Sequence, residues 1–277
     1  MAMPDPYGPQ LRQLSRYMTD VNRDLNRSFK PLIETIQRNL KLSLSPDLLA
    51  QMQRTADAVR QAFLRSAPPN WAELSFGVWR DAIALGTEHG INVLWAPRSE
   101  IICQLVAAAN EPSRFQVLLT REGDILDDID EVLNEATHED FGHLPSLARK
   151  AVAAQRAGHP EAGQALASAV ITGVVEDTLG FDRLGEARRR FHETDPIEGS
   201  MDSLPLRTIL HTLGRALHRM DEAPPGFNRN SSLHCHPTQF TRVNATTSML
   251  IMAGVFGELQ RLRTLRDAED GCDAEAA

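Results

Sequence analysis

The chain has 277 residues and 42% hydrophobic content, enough for one large or two ordinary packed domains. Its net charge of -8 counts against a free-standing binder of bulk nucleic acid, so RNA or DNA contact requires a local basic cluster or a groove between subunits. Three widely spaced cysteines form neither a disulfide framework nor a paired zinc pattern. Because the N-terminus is unlike a signal peptide and no apolar run is long enough to span a membrane, we expect a cytoplasmic protein.

Helix-forming residues dominate the sequence. Ala, Leu, Arg, Glu and Gln are frequent, aromatic residues make up only 5%, and few segments alternate in the period-two manner of strands. The composition therefore predicts an all-α protein. Its expected parts are an N-terminal helical hairpin, a middle helical region and a C-terminal helical bundle, followed by a short tail.

Residues 1–67 are predicted to form a helical hairpin arm. Apolar residues from Leu11 to Leu40 recur at steps of three and four, a stripe with coiled-coil character, and Ser45 opens a further helix. Such an arm is typical of oligomerisation or of packing against another domain. A linker rich in proline, residues 67–71, separates it from the rest of the chain.

The middle region, residues 68–158, is predicted to be helical over 75–89, after Pro97, over 113–135 and over 144–157, with a single extended piece at 91–95. The third helix carries the acidic run Asp124, Asp127, Asp128, Asp130 and Glu131. No companion ligand spacing accompanies this run, so we expect a solvated face and no metal site. His138 and His143 are five apart, whereas zinc-binding histidines on a helix lie four apart. The pattern predicts no metal and no cofactor.

Residues 159–266 are predicted to form the C-terminal bundle, with helices over 161–179, 183–192, 203–220 and 244–266. The last of these is the most apolar helix of the chain. Residues 267–277 are acidic and small, and we expect them to be a disordered tail. One dense basic run, Arg188, Arg189 and Arg190, can contact RNA phosphates; the alternative is a solvated helix end.

A polar segment follows the proline-glycine turn at 222–226 and precedes the last helix. In it, Arg229 stays charged and can grip phosphate oxygens bidentately, while a histidine such as His234 can transfer protons near neutral pH. Asn230 can orient either side chain or the substrate. His236 is a candidate for a second proton-transfer group or else a surface turn residue. Equally, Arg229 and His234 can simply cap and brace the turn.

The six residues Arg229-Asn230-Ser231-Ser232-Leu233-His234, followed by Phe240 and Asn244, resemble the Arg-x4-His motif of the HEPN superfamily. Members of this family are small α-helical bundles, and many are ribonucleases of toxin–antitoxin, abortive-infection and CRISPR-linked defence systems. The resemblance covers about residues 160–266, and Cys235 stands where glycine is usual. The first part of the chain resembles uncharacterised bacterial proteins, a likeness that assigns no activity.

This resemblance implies cleavage of RNA by attack of the ribose 2′-hydroxyl, without metal, with Arg229, Asn230 and His234 as catalytic residues. It implies a homodimer through the C-terminal bundle, which brings two motifs into one cleft. It also implies an acidic residue on the first bundle helix facing the motif. Glu176 is the candidate, and a solvated helix charge is the alternative.

A toxin of this type requires a silenced state, so a neutralising protein partner is a further expectation. Two functions of other classes remain open. One is a non-catalytic HEPN-like module that binds a nucleotide or a protein, and the other is a helical scaffold that works through its N-terminal arm. The acidic charge and Cys235 favour these alternatives, whereas the preserved Arg229, Asn230 and His234 favour the enzyme.

Overall fold

The computed structural model describes residues 67–179, 204–216, 226–234 and 236–275, together with Gln51 and Arg54. Within these ranges the chain forms nine α-helices and no β-strand, which confirms the predicted all-α fold. The helices are α1 (Phe76–His89), α2 (Ser99–Ala107), α3 (Glu111–Thr120), α4 (Glu122–Glu135), α5 (Leu144–Arg156), α6 (Pro160–Leu179), α7 (Leu204–Ala216), α8 (Arg229–Leu233) and α9 (Arg242–Glu275). Short 3-10 helices lie at Pro69–Trp71, Glu139–Phe141 and Pro237–Gln239. No helix of the described residues is long and apolar enough to cross a membrane.

Three helices begin and end within one residue of the prediction, namely α1, α5 and α6. Local signals explain this agreement. Gly90 ends α1 in the left-handed conformation (φ 71°), and prolines stand in the first turns of α5 and α6. The predicted arm of residues 1–67 lies outside the described residues, apart from Gln51, Arg54 and Ala67, and stays a prediction.

The prediction of one helix over 113–135 is wrong, because the chain has two helices there, α3 and α4. The backbone of Arg121 (φ -104°, ψ 12°) departs from helical values at the junction. The Arg121 side chain donates to Asp124 on α4 at 2.8 Å and to Glu100 on α2 at 2.9 Å. These bonds attach the junction to both α4 and α2. Beyond the break, α4 packs against α9.

Arginine side chains pair with most of the acidic run on α4. Asp124 pairs with Arg121 (2.8 Å), Asp127 and Asp130 with Arg156 (2.7 and 2.8 Å), and Asp128 with Arg98. Asp128 is only 7% exposed and also accepts from the backbone N–H of Arg98 at 2.7 Å. The expected solvated face is therefore wrong for Asp128, because its partner comes from a distant segment that the local sequence does not show. Among the described residues, no group of three or more His, Cys, Asp or Glu could hold a metal ion.

Helix α9 lies at the centre of the described part of the chain. Every residue from 244 to 259 is buried, and α3, α4, α5, α6 and α7 all pack against this helix. A helix that is buried on all sides requires an apolar or internally bonded surface all round, as the low charge of this segment predicted. One hydrophobic core therefore includes residues of both the middle region and the C-terminal bundle.

The predicted boundary near residue 158 is a tight turn inside this common core. Gly158 (φ 82°) links α5 to α6, and these two helices pack against each other. Their approach is close, because a Cβ atom added to Gly163 would lie 3.0 Å from the carbonyl oxygen of Ala151. A turn cluster in the sequence marks a change of chain direction but does not show whether the cores on its two sides are separate.

The expected disordered tail from residue 267 is wrong as far as Glu275, because α9 continues to that residue. The sequence predicts an end of this helix near Arg266, because apolar residues are scarce beyond that position. A helix already formed in the core adds further turns at little cost, and no proline stands between Arg242 and Glu275 to stop it.

The extended piece predicted near residues 91–95 crosses α9 without pairing as a strand. The Asn92 amide donates to the Leu250 carbonyl at 3.0 Å, and Trp95 lies directly over Gly257. Asn70 fixes the segment from the other side, since its amide donates to the Pro97 carbonyl at 2.7 Å and its oxygen accepts from the Trp95 N–H at 3.1 Å. Side chains thus supply the hydrogen bonds that neighbouring strands supply in a sheet.

We expect Gly257→Ala to destabilise the fold, because the added Cβ would lie 2.4 Å from Cδ2 of the partly buried Trp95 ring. Overpacking of this kind costs about 1–3 kcal/mol of unfolding free energy. The matched control is Gly123→Ala on α4, where no atom lies within 4 Å of the added Cβ. That change should leave stability unchanged or raise it by up to about 1 kcal/mol. Urea unfolding of both variants measures the difference, and equal midpoints would contradict the close packing.

Candidate functional site

Helix α6 presents a row of polar residues to the motif. Gln164, Ser168, Thr172 and Glu176 stand four residues apart and therefore lie along one face of the helix, here called the α6 polar stripe. Gln164 and Ser168 are fully buried, Thr172 is half-buried and Glu176 is exposed. The stripe thus leads from the core to the surface along the side where α8 packs.

Asn228 defines the start of α8. Its side-chain oxygen accepts from the backbone N–H of Ser231 at 2.7 Å, the bond expected of a residue that caps a helix N-terminus. Its carbonyl accepts from the Ser232 N–H at 3.0 Å and the Ser232 hydroxyl at 2.8 Å. Its own N–H donates to the Gln239 side chain at 2.9 Å. Because Asn228 is only 1% exposed, these bonds hold α8 firmly in one place.

Arg229 is the first residue of α8 and points to the α6 polar stripe. Its Nε and Nη2 atoms donate to the Thr172 hydroxyl oxygen at 2.8 and 2.5 Å. Burial lowers the pKa of Arg229, and the nearby charge of Glu176 opposes that shift. The guanidinium remains protonated at neutral pH because arginine is not deprotonated in proteins. The structure thus brings the predicted pair Arg229 and Glu176 close enough to interact through charge.

His234 follows α8 directly, and its side chain is exposed. Arg229 therefore stands at the first residue of α8 and His234 directly after its last residue, Leu233. The His236 side chain is also exposed, and its Nδ1 lies 2.8 Å from the Thr238 hydroxyl. The backbone of Asn230 lies in α8, whereas Cys235 is outside the described residues, as are Arg188, Arg189 and Arg190.

Asn244, the predicted supporting residue on α9, braces the loop that follows the motif. Its amide donates to the Gln239 carbonyl at 2.9 Å, and the Gln164 amide donates to the same carbonyl at 3.0 Å. Gln164 also donates to the Ser232 hydroxyl at 2.7 Å. The Asn244 backbone N–H in turn donates to the Thr241 hydroxyl at 3.1 Å, which caps α9. Asn244 is 8% exposed, so it acts from inside the fold.

Sequence reasoning missed Gln164, Thr172 and Ser232, the side chains that hold the motif in place. A signal for two of them exists in the four-residue spacing of polar residues within the otherwise apolar helix α6. That spacing puts the polar residues on one side of the helix and so predicts a polar neighbour. It does not reveal which segment supplies the neighbour.

An ion pair anchors the first residue of α9, just after the motif. The Arg242 Nε donates to both carboxylate oxygens of Glu122 on α4, at 2.9 and 2.8 Å. Gln155 on α5 donates to the same carboxylate at 2.6 Å. The Thr246 hydroxyl lies 3.3 Å from it, and its proton is engaged by the closer Arg242 carbonyl at 3.0 Å. Glu122 is 6% exposed, so these donors compensate a carboxylate that is almost removed from water.

Comparison of the chain with protein-family models, curated proteins and solved structures finds no match. The HEPN resemblance therefore rests on the motif from Arg229 to His234 and on its place before the last helix, and it stays a prediction.

We expect Glu122→Gln to destabilise the protein near neutral pH by about 1–2 kcal/mol, because Arg242 and Gln155 lose a charged acceptor. Burial acts to raise the pKa of Glu122, but hydrogen bonds from Arg242 and Gln155 outweigh it and hold the pKa below the ordinary 4.5. A lowered folded-state pKa contributes stability above pH 4.5, which is lost as the pH falls through the folded value. The unfolding free energy of the wild type should therefore fall more steeply below pH 4.5 than that of Glu122→Gln. If the unfolding free energies of the two proteins fell in parallel as the pH was lowered, this role of the ion pair would be contradicted.

Proposed function

We propose that this protein is a metal-independent endoribonuclease of the toxin or antiviral defence type. The observation that supports this best is the placement of Arg229. Its guanidinium is held by Thr172 beside the charge of Glu176, while the exposed His234 follows at the end of the same short helix. A fixed cation and an accessible imidazole on one polar segment are the groups that metal-free cleavage of RNA requires.

In the proposed reaction, a base takes the proton of the ribose 2′-hydroxyl, and the resulting oxygen attacks the adjacent phosphorus. An acid then protonates the 5′-oxygen as it leaves. His234 performs proton transfer, and Arg229 stabilises the negative charge that develops on the phosphate oxygens. Asn230 orients one of these groups or the substrate. The products are a 2′,3′-cyclic phosphate end and a 5′-hydroxyl end.

Two proton transfers require two acid–base groups at one phosphate. The motif of one chain supplies a single histidine, His234, so a site shared between two copies of the chain would supply the second acid–base group. We therefore propose a homodimer through the C-terminal bundle, with the motifs of both subunits in one groove. His236 is the local alternative for the second group, and Arg188, Arg189 and Arg190 are proposed to contact RNA phosphates. We also propose that a second protein binds this ribonuclease in the cytoplasm and inhibits it.

A non-catalytic binding module is the second candidate. The observation that favours it is the bracing network of Asn228, Gln164 and Asn244, which holds the motif segment by bonds that a purely structural turn would also make. Such a module would bind a nucleotide or a protein in the same groove and release it unchanged. A scaffold acting through residues 1–67 is the remaining alternative, and deletion of that arm would then abolish function while Arg229→Ala would not.

We expect the purified protein to cleave total cellular RNA, and His234→Ala or Arg229→Ala to slow cleavage by at least about 100-fold. The matched control is His143→Ala, an exposed histidine whose side chain makes no capping bond. Its rate should stay within about twofold of the wild type. Gel analysis of RNA over time gives the rates. Intact RNA in every sample would refute the nuclease, and binding of RNA or nucleotide without cleavage would favour the module.

Cleavage should persist in excess EDTA, and the 5′ fragment should end in a 2′,3′-cyclic phosphate. Both outcomes follow from attack by the neighbouring 2′-hydroxyl with side chains as acid, base and cation. Mass spectrometry of a short RNA substrate identifies the ends. The matched control substrate carries a single 2′-deoxynucleotide at the cleaved position and should remain whole. Cleavage of that control, or loss of activity in EDTA, would point to a different reaction.

A further inference from the structure

Thr172 contacts Arg229 through a hydroxyl whose own proton is already engaged. The hydroxyl donates to the Ser168 carbonyl on the preceding turn of α6 at 2.9 Å. A threonine hydroxyl has one proton and two lone pairs, so this bond leaves the oxygen to act as an acceptor towards Arg229. The Nε and Nη2 atoms then donate to it at 2.8 and 2.5 Å. The direction of these bonds is therefore determined by α6.

The backbone that carries Thr172 is tightly packed. Ile171 and Val174 on either side are at most 2% exposed. A Cβ added to the adjacent Gly173 would lie 3.3 Å from the Leu144 side chain, so α6 lies close to the start of α5 at this level. Close packing on both sides prevents α6 from shifting by more than a small amount. Thr172 thus provides a fixed point of attachment for a long and otherwise flexible arginine side chain.

We propose that Thr172 is the positioning residue that sets the orientation of the Arg229 guanidinium for the reaction. The proposal rests on the proposed ribonuclease function. A guanidinium binds phosphate through a planar fork of N–H groups, so its usefulness depends on the orientation of that plane as well as on its charge. Two bonds to one oxygen fix the Nε side of the plane, and Glu176 adds charge without replacing this contact.

The test replaces the Thr172 hydroxyl while keeping the size of the side chain. We expect Thr172→Val to lower kcat for RNA cleavage by about 10- to 100-fold with little change in KM, because a misdirected guanidinium fails mainly in the transition state. Thr172→Ser retains the hydroxyl and should restore kcat to within about threefold of the wild type. The matched control is Thr87→Val on α1, another half-buried threonine that donates to the carbonyl four residues earlier, at 3.1 Å. Unfolding curves show whether both valine variants are folded.

A double-mutant cycle separates positioning from general disruption. In a protein that already carries Arg229→Ala, Thr172→Val should cause no further loss of kcat, because the residue it positions is gone. Additive losses would overturn the proposal, since they would mean that Thr172 acts independently of Arg229. Equal kcat values for Thr172→Val and Thr87→Val in otherwise wild-type protein would overturn it as well.

A second measurement does not depend on activity. The NMR signal of the Arg229 Nε–Hε group, identified by its absence in Arg229→Lys, should show a rigid side chain in the wild type and in Thr172→Ser. In Thr172→Val it should become mobile on the nanosecond timescale or exchange rapidly with water. An unchanged signal in Thr172→Val would overturn the positioning of Arg229. If the wild type cleaves no RNA, the proposed function fails, and this signal still decides separately whether Thr172 orients Arg229.

Discussion

The complete burial of α9 between residues 244 and 259 is the constraint on which the rest of the structure depends. A helix enclosed on all sides has no water to satisfy its polar side chains, so each must find a partner within the protein. Thr246, Thr247 and Ser248 meet this requirement by donating to carbonyls of their own helix. Glu258 meets it differently, since Arg261 one turn later donates to both of its carboxylate oxygens. Burial raises the pKa of Glu258, and the bonds from Arg261 oppose that shift. Self-contained bonding of this kind allows five other helices to pack against α9 without a polar mismatch.

The same burial determines which residues can stand next to α9. Where the extended segment crosses it, Gly254 and Gly257 leave room that any larger side chain would fill. At its N-terminal end, the pair Glu122 and Arg242 links α9 to α4, and Thr241 caps the first turn. The motif helix α8 lies just before this fixed point and packs against α6, which itself packs against α9. The position of Arg229 is therefore a consequence of the core and does not depend on the surface loop alone.

These relations explain how far the sequence could predict the molecule. Helix type and the ends of α1, α5 and α6 follow from local signals, and the burial of the apolar last helix could be predicted as well. The break at Arg121, the burial of Asp128 and the helical continuation past residue 266 could not, because each depends on partners or packing distant in the sequence. The site shows the same division. The residue types of the motif suggested Arg229 and His234, but the contact with Thr172 joins residues 57 positions apart, and no local pattern contains it.

The neutral character of the Thr172 hydroxyl bears on the chemistry of Arg229. A carboxylate bonded to the Nε side of a guanidinium would orient it but would also cancel much of its charge towards a phosphate. A threonine hydroxyl orients the group while remaining neutral, so the positive charge is retained. Glu176 stands one turn further along the exposed end of α6, where solvent weakens its effect on Arg229. The two hydrogen bonds from Arg229 to Thr172 can stabilise α8 and orient the guanidinium at the same time. A structural role and a phosphate-binding role for Arg229 are therefore compatible.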